Sequence, residues 1–258
     1  MPLYKEEHGS KDKPTIVFLH GFLGNGKDWE KIINHLKNDF HCVTIDLPGH
    51  GLSAGNLAPL DNGFAHCHQL IRSALDSLNI STYVMVGYSL GGRIALDYAR
   101  TQNDPNLTLL ILESSHIGLE NDQQKKQRYQ FDLNWAECFS TEAMEESLYQ
   151  WYEQSIFEDF TTKKKTEMIE KRCHNYGVFL ANMLLSTSLA KQENAWSFLN
   201  QTDLPIIYLF GELDTKLSAL AKKIDTTNAK TCCFDGLGHN LHQQDPMKYA
   251  DNIKQLFN

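Results

Sequence analysis

Tyr83-Val84-Met85-Val86-Gly87-Tyr88-Ser89-Leu90-Gly91-Gly92-Arg93-Ile94-Ala95-Leu96-Asp97-Tyr98-Ala99 decides how this chain is read. An apolar, strand-forming run enters Gly-Tyr-Ser-Leu-Gly, and a helical pattern begins directly behind it. This is G-x-S-x-G in a strand–turn–helix setting, with the serine at the tip of a sharp, strained turn. Glycine is needed two residues before and two after the serine, because side chains there would strike neighbouring backbone. The turn lifts the hydroxyl to a helix N-terminus, where backbone N–H groups point at a bound group. A glycine-rich turn that only packs helix on strand is the plainer alternative, and the flanking patterns favour the first reading.

Similar short runs lie on both sides: Thr15–Leu19, Cys42–Ile45, Leu107–Leu112, Pro205–Phe210 and Thr231–Phe234. They are mostly continuous rather than alternating, as expected of parallel strands covered on both faces by helices. Helical patterns fill the early gaps, with Trp29, Ile32, Ile33 and Leu36 in one and Leu70, Ile71, Leu75 and Leu78 in another. Alternating strand and helix predicts an α/β, mostly parallel, doubly wound sheet. From Ile117 to Leu204 no strand is expected. Polar helical stretches replace it at 121–137, 142–152, 162–174 and 178–191. An insertion at the carboxyl edge of such a sheet would sit over the ligand crevice. We therefore expect a core of residues 1–116 and 205–258 and a helical lid of 117–204, the alternative being a packed subdomain with no part in binding.

The composition narrows the function. The 258 residues carry 24 Lys plus Arg against 32 Asp plus Glu, a net charge of −8. An acidic chain with no basic block is a poor binder of polyanions, so no nucleic-acid partner is expected. The stretch Met1–Pro14 is polar, and no segment reaches the ~20 apolar residues of a membrane helix. The expected setting is cytoplasmic, without membrane insertion. Cys42, Cys67, Cys138, Cys173, Cys232 and Cys233 show no C-x-x-C pair and no zinc pattern, so reduced thiols and no metal are expected. Adjacent Cys232 and Cys233 would face opposite sides of a strand, which argues against a bond between them.

A serine hydroxyl needs a base. In this setting the chain order is serine, acid, histidine. Asp214, in Phe210-Gly211-Glu212-Leu213-Asp214, follows one strand, and His239, in Gly236-Leu237-Gly238-His239-Asn240, follows the next. Both sit where Ser89 sits, at strand carboxyl ends. Glu212 is the nearest competitor to Asp214, and His116 is a weaker candidate base. Two backbone donors should form an oxyanion hole: Leu90, after the serine, and Phe22, in His20-Gly21-Phe22-Leu23-Gly24. Asp46-Leu47-Pro48-Gly49-His50-Gly51 is read as a structural turn at the same edge. Among five arginines, Arg93 lies one helical turn past Ser89, and a guanidinium close to a largely buried elbow requires an anionic partner.

With these motifs the chain resembles the α/β-hydrolase superfamily over essentially its whole length. The stretches Gly87–Arg93, Gly118-Leu119-Glu120-Asn121, Trp151-Tyr152 and Gly236–Asn240 look like the menaquinone-pathway SHCHC synthases (MenH). The resemblance implies elimination of pyruvate from 2-succinyl-5-enolpyruvyl-6-hydroxy-3-cyclohexene-1-carboxylate, giving 2-succinyl-6-hydroxy-2,4-cyclohexadiene-1-carboxylate. It implies a small polycarboxylate as substrate, handled by Arg93, Arg128 and Arg172 with Tyr88 and Trp151, and no cofactor. The motif chemistry alone fits a carboxylic-ester or carbon–carbon bond hydrolase equally well, and a silent ligand receptor on the same fold is the more distant alternative. A monomer or small homo-oligomer is expected.

Overall fold

Each central strand feeds two cores. In the computed structural model, which describes residues 1–257, Val17 and Leu19 enter one apolar cluster, while Ile16 and Phe18 enter the other. This two-sided burial is why the strands read as continuous apolar runs. In chain order the elements of the first half are β1 (Lys5–His8), β2 (Thr15–Leu19), α1 (Glu30–Leu36), β3 (His41–Ile45), α2 (Gly63–Ser77), β4 (Tyr83–Tyr88), α3 (Leu90–Gln102) and β5 (Leu107–Glu113). An insert of helices follows: α4 (Asp122–Thr141), α5 (Met144–Trp151), α6 (Thr162–Arg172), α7 (Gly177–Ser186) and α8 (Trp196–Gln201). The chain then returns through β6 (Ile206–Gly211), α9 (Thr215–Ile224), β7 (Lys230–Phe234), α10 (Leu241–Gln244) and α11 (Pro246–Gln255).

The seven strands form one sheet in the order β1-β3-β2-β4-β5-β6-β7. All neighbours are parallel except β1, which runs antiparallel to β3 with Lys5 opposite Ile45. The sequence reading did not contain β1. Lys-Glu-Glu-His offers no apolar run, and it forms an edge strand held by backbone pairing, with Glu7 accepting from His41 Nε2 at 3.0 Å. One face is covered by α2, α3 and α9, the other by α1 and α11.

The ends of the insert helices are written locally. The Asn121 side chain caps α4 by accepting from Gln124 N–H at 2.9 Å, and Thr161 caps α6 in the same way from Lys164 at 3.2 Å. Such caps satisfy backbone donors that have no partner inside the helix. Phe139, Leu148, Tyr152, Phe157, Phe160, Met168, Ile169 and Leu180 form an apolar cluster of the insert, into which Leu23 projects from the loop after β2. Leu199 of the last helix, α8, and the preceding Ala195 join the main core on the sheet, as does Met183 of α7. Residues around 195–201 thus pack as part of the α/β body rather than over the crevice. Among the described residues no helix is long and apolar enough to cross a membrane, and no group of three or more His, Cys, Asp or Glu is placed to hold a metal ion. All six cysteines are free.

Candidate active site

The turn after β4 holds Ser89 at φ 49° and ψ −108°, a region that L-residues rarely adopt. Tight packing enforces it. A Cβ on Gly87 would come within 2.6 Å of Gly92 Cα, and one on Gly91 within 2.5 Å of the His20 carbonyl oxygen. Ser89 N–H donates to the Glu113 carbonyl at 2.9 Å, which ties the turn to β5.

His239 follows β7 and Asp214 follows β6, and the sheet register brings them together. His239 Nδ1 donates to Asp214 Oδ2 at 2.7 Å, and Nε2 faces Ser89 Oγ at 3.5 Å. The second contact is at the outer limit of a hydrogen bond, as is common before substrate tightens such a line. Asp214 also caps α9, with Oδ1 accepting from Leu217 N–H at 3.0 Å. Burial pushes its carboxyl pKa up, but the bonds from His239 and Leu217 outweigh that and hold it below the ordinary value. Glu212 points elsewhere and accepts from Gly236 N–H at 2.8 Å. His116 does not meet Ser89; its Nδ1 accepts from Gly118 N–H at 3.1 Å.

The loop carrying Phe22 is fixed by two buried histidines. His50 Nε2 accepts from Leu23 N–H at 3.1 Å while its Nδ1 donates to the Pro48 carbonyl at 2.9 Å. His20 Nε2 accepts from Leu47 N–H at 2.9 Å while its Nδ1 donates to the Gly21 carbonyl at 2.7 Å. Each ring must be neutral to accept at one nitrogen and donate at the other. Burial, chiefly, pushes their pKa values down, His20 to about 4 and His50 to about 3. The Asp46–Gly51 turn therefore does more than reverse the chain. Its histidine holds the Phe22 loop, and its Asp46 carboxylate accepts from Gly26 and Leu52 N–H at 2.7 and 2.8 Å. Among the described residues neither Phe22 N–H nor Leu90 N–H, the first of α3, has an acceptor.

A cavity of about 790 Å³ opens between the sheet edge and the insert. Ser89, Asp214 and His239 line it, as do Phe22, Leu90, Tyr88, Arg93, Arg128, Trp151 and Arg172. The fold thus gathers every sequence-derived site residue at one place. Trp151 packs against Phe22 at 5.1 Å and against Trp135 at 4.9 Å between ring centroids, which makes an aromatic wall. Tyr88 lies against His239 at 5.5 Å and against His242 at 4.8 Å.

The arginines differ from one another. Arg172 Nη2 pairs with Asp28 Oδ2 at 2.7 Å, both side chains being largely buried. Burial opposes the Arg172 charge, but Asp28 and Tyr152 more than offset it and raise its pKa; Asp28 in turn is held below its ordinary value against its own burial. Arg172 Nε–H remains buried without a partner among the described residues. Arg128 Nε pairs with Asp132 Oδ1 at 2.9 Å, and Ser188 Oγ donates to the other oxygen of that buried carboxylate at 2.6 Å. Arg93 pairs with no carboxylate among the described residues. Its Nη1 donates to the Thr187 carbonyl at 2.8 Å, and its guanidinium lies 6.0 Å from the Phe64 ring centroid. Burial and the like charge of Arg128 push its pKa down to about 9 against the opposing pull of Asp132, so it stays cationic at neutral pH although it makes no direct ion pair among the described residues.

Sequence reasoning missed Asp28, Asp132 and the Glu113–His242 pair behind Tyr88, in which His242 Nδ1 meets Glu113 Oε2 at 2.8 Å. Only Arg128–Asp132 carried a signal, the i,i+4 spacing on a helix.

The chain matches the alpha/beta hydrolase fold family over residues 14–242. It is 39% identical over 252 residues to a 2-succinyl-6-hydroxy-2,4-cyclohexadiene-1-carboxylate synthase of Salmonella arizonae, covering 96% of this chain and 95% of that one. The synthase of that name from Salmonella typhimurium is equally similar, at 39% over the same length. Among solved structures, MenH from S. aureus superposes with a TM-score of 0.87 at 26% identity, covering 98% of this chain and 97% of the other. A thermophilic esterase from Thermogutta terrifontis, at 18% identity, covers 99% of this chain and 92% of its own with a TM-score of 0.82, a likeness of fold.

Proposed function

Because the chain belongs to the alpha/beta hydrolase fold family and, within it, to the 2-succinyl-6-hydroxy-2,4-cyclohexadiene-1-carboxylate synthases of menaquinone biosynthesis, we propose that Ser89, His239 and Asp214 perform that family's pyruvate elimination in the cavity above the sheet. The observation that carries the reading is one of placement. The Ser89–His239–Asp214 line opens on the same cavity as three arginines, one of which, Arg93, makes no direct ion pair among the described residues.

His239, oriented by Asp214, draws the proton from Ser89 Oγ. Ser89 then removes the proton from the ring carbon beside the succinyl ketone of 2-succinyl-5-enolpyruvyl-6-hydroxy-3-cyclohexene-1-carboxylate. The oxygen of the resulting enolate lies between the N–H groups of Phe22 and Leu90. The C–H electron pair becomes a new ring double bond, the existing double bond shifts along the ring, and the bond to the enolpyruvyl oxygen breaks. The leaving enolate takes up a proton and departs as pyruvate, which leaves a conjugated 2,4-diene. Arg93, Arg128 and Arg172 hold the carboxylates, with Tyr88 and Trp151 walling the ring.

The same serine line would serve an ester or carbon–carbon bond hydrolase as nucleophile. Incubation of the protein with the enolpyruvyl precursor separates the two. The expected result is pyruvate release in step with diene absorbance, with no oxygen from ¹⁸O-water entering the ring product. A Ser89 acyl adduct trapped from the native precursor and seen by mass spectrometry would overturn the elimination.

A further inference from the structure

The geometry points to Ser114 and His116, on the loop leaving β5, as neutral hydrogen-bond donors that complete a carboxylate subsite with Arg93. Neither is used by the mechanism above, and the assignment rests on that mechanism for the nature of the ligand. Both residues line the cavity together with Arg93.

The tautomer of His116 follows from its own hydrogen bond. Nδ1 accepts from Gly118 N–H at 3.1 Å, so it carries no proton. A neutral imidazole with Nδ1 as acceptor holds its proton on Nε2. That N–H has no acceptor among the described side chains or backbone groups. Three charged groups face the ring: Arg93 on α3, Arg128 on α4, and Glu120 in the loop before α4. Burial first, then the two guanidinium groups, push its pKa down to about 4 against the opposing pull of Glu120. The ring therefore acts as a fixed donor across the neutral range, and not as a third switchable cation.

Ser114 supplies the second, independent observation. Its backbone sits at φ 48°, a left-handed conformation that serine adopts at a cost, pinned by its N–H to the Leu209 carbonyl at 2.9 Å. The residue is 2% exposed, and its hydroxyl has no partner among the described residues. A buried, unpaired hydroxyl on a strained residue that lines the cavity calls for a partner, and we assign that partner to a ligand atom. Arg93 has one N–H committed to the Thr187 carbonyl and leaves its other donors for an anion. A guanidinium and two neutral donors on the wall of one cavity suit a carboxylate better than a keto or hydroxyl oxygen.

The test uses the full chain and the enolpyruvyl precursor. Ser114→Gly removes the hydroxyl and relieves the left-handed strain, so it should melt at or above the parent temperature yet raise KM. His116→Asn keeps an acceptor near Gly118 and loses the cavity donor. His116→Gln keeps a donor near the Nε2 position and should be milder. Loss of one bond to a charged acceptor corresponds to about a 10- to 150-fold rise in KM, with kcat less affected. A second readout is long-range ¹H–¹⁵N spectroscopy of histidine-labelled Ser89→Ala protein. His116 should stay in the Nε2–H form from pH 5.5 to 8, and its Nε2 resonance should move when the precursor is added. If Ser114→Gly and His116→Asn keep the parent KM while Arg93→Ala loses it, or the His116 resonance does not respond, the subsite is wrong and the elimination reading stands. If the parent chain releases no pyruvate from the precursor, the elimination reading falls and takes the assigned ligand with it.

Discussion

Gly91→Ala tests the packing that joins the serine turn to the Phe22 loop. The added methyl carbon would lie 2.5 Å from the His20 carbonyl oxygen and 2.7 Å from the Leu19 carbonyl carbon, where ordinary contact begins at 3.4 Å. Both neighbours are backbone at the end of β2, so neither can swing away. Restoring contact needs a relative shift of about 1 Å between the start of α3 and the loop after β2. Leu90 N–H and Phe22 N–H sit on opposite sides of that seam, and a 1 Å misplacement of reacting groups can cost roughly 100-fold in rate. Overpacking a tight site costs about 1–3 kcal/mol, and at about 2–4 °C per kcal/mol the melting temperature should fall by roughly 2–12 °C. The protein should thus remain folded at 25 °C while kcat for pyruvate release falls about 100-fold. Gly55→Ala, whose new carbon would meet only the Met1 side-chain end at 3.0 Å, is the control and should match the parent. Steady-state kinetics and thermal melts on the three proteins decide the matter. A Gly91→Ala enzyme within threefold of the parent kcat would show that the close approach is not what aligns the two donors.

Three further outcomes follow from the same geometry. Ser89→Ala and His239→Ala should each lower turnover by about 10⁴-fold, and the double variant should lose little more, because the groups act as a unit; additive losses in kcat would break the assignment. Arg172→Met leaves Asp28 buried without its cation and should cost about 3–5 kcal/mol in urea unfolding, with part of the loss recovered by adding Asp28→Asn; unchanged stability in Arg172→Met would mean the pair does not fasten α6 to the core. His20 and His50 are neutral when folded, with pKa values near 4 and 3 against 6.5 unfolded. The unfolded chain therefore binds more protons below pH 6.5. Their contribution is complete above that pH and declines as pH falls toward 4, by roughly 1.4 kcal/mol per unit for each group. Unfolding free energies that stay level between pH 7 and 5 would contradict this.

The parts of the molecule legible from sequence are those coded by neighbours. The strands β2 to β6 showed because two-sided burial leaves short unbroken apolar runs, β7 showed by its strand-forming residue types although only Phe234 is buried, and the serine turn showed because its glycines, strand and helix are contiguous. Asp214 and His239 could be placed by chain order, since a parallel sheet puts every strand's carboxyl end on one edge. The segment Lys5–His8 gave no signal because an edge strand is held by backbone bonds that leave no mark on side-chain type. Asp28 and Arg172 lie 144 residues apart, and nothing local in either stretch announces the other. The neutrality of His20, His50 and His116 was equally hidden, since it comes from the desolvation and hydrogen bonds that the folded surroundings impose. Sequence by itself determined the α/β architecture and singled out Ser89, Asp214 and His239, the serine, acid and base we propose, because periodicity and turn chemistry act over a few residues. Only the tertiary structure decided which arginine makes no direct ion pair among the described residues and which imidazoles can be donors, because charge balance and solvent exclusion depend on contacts between distant parts of the chain.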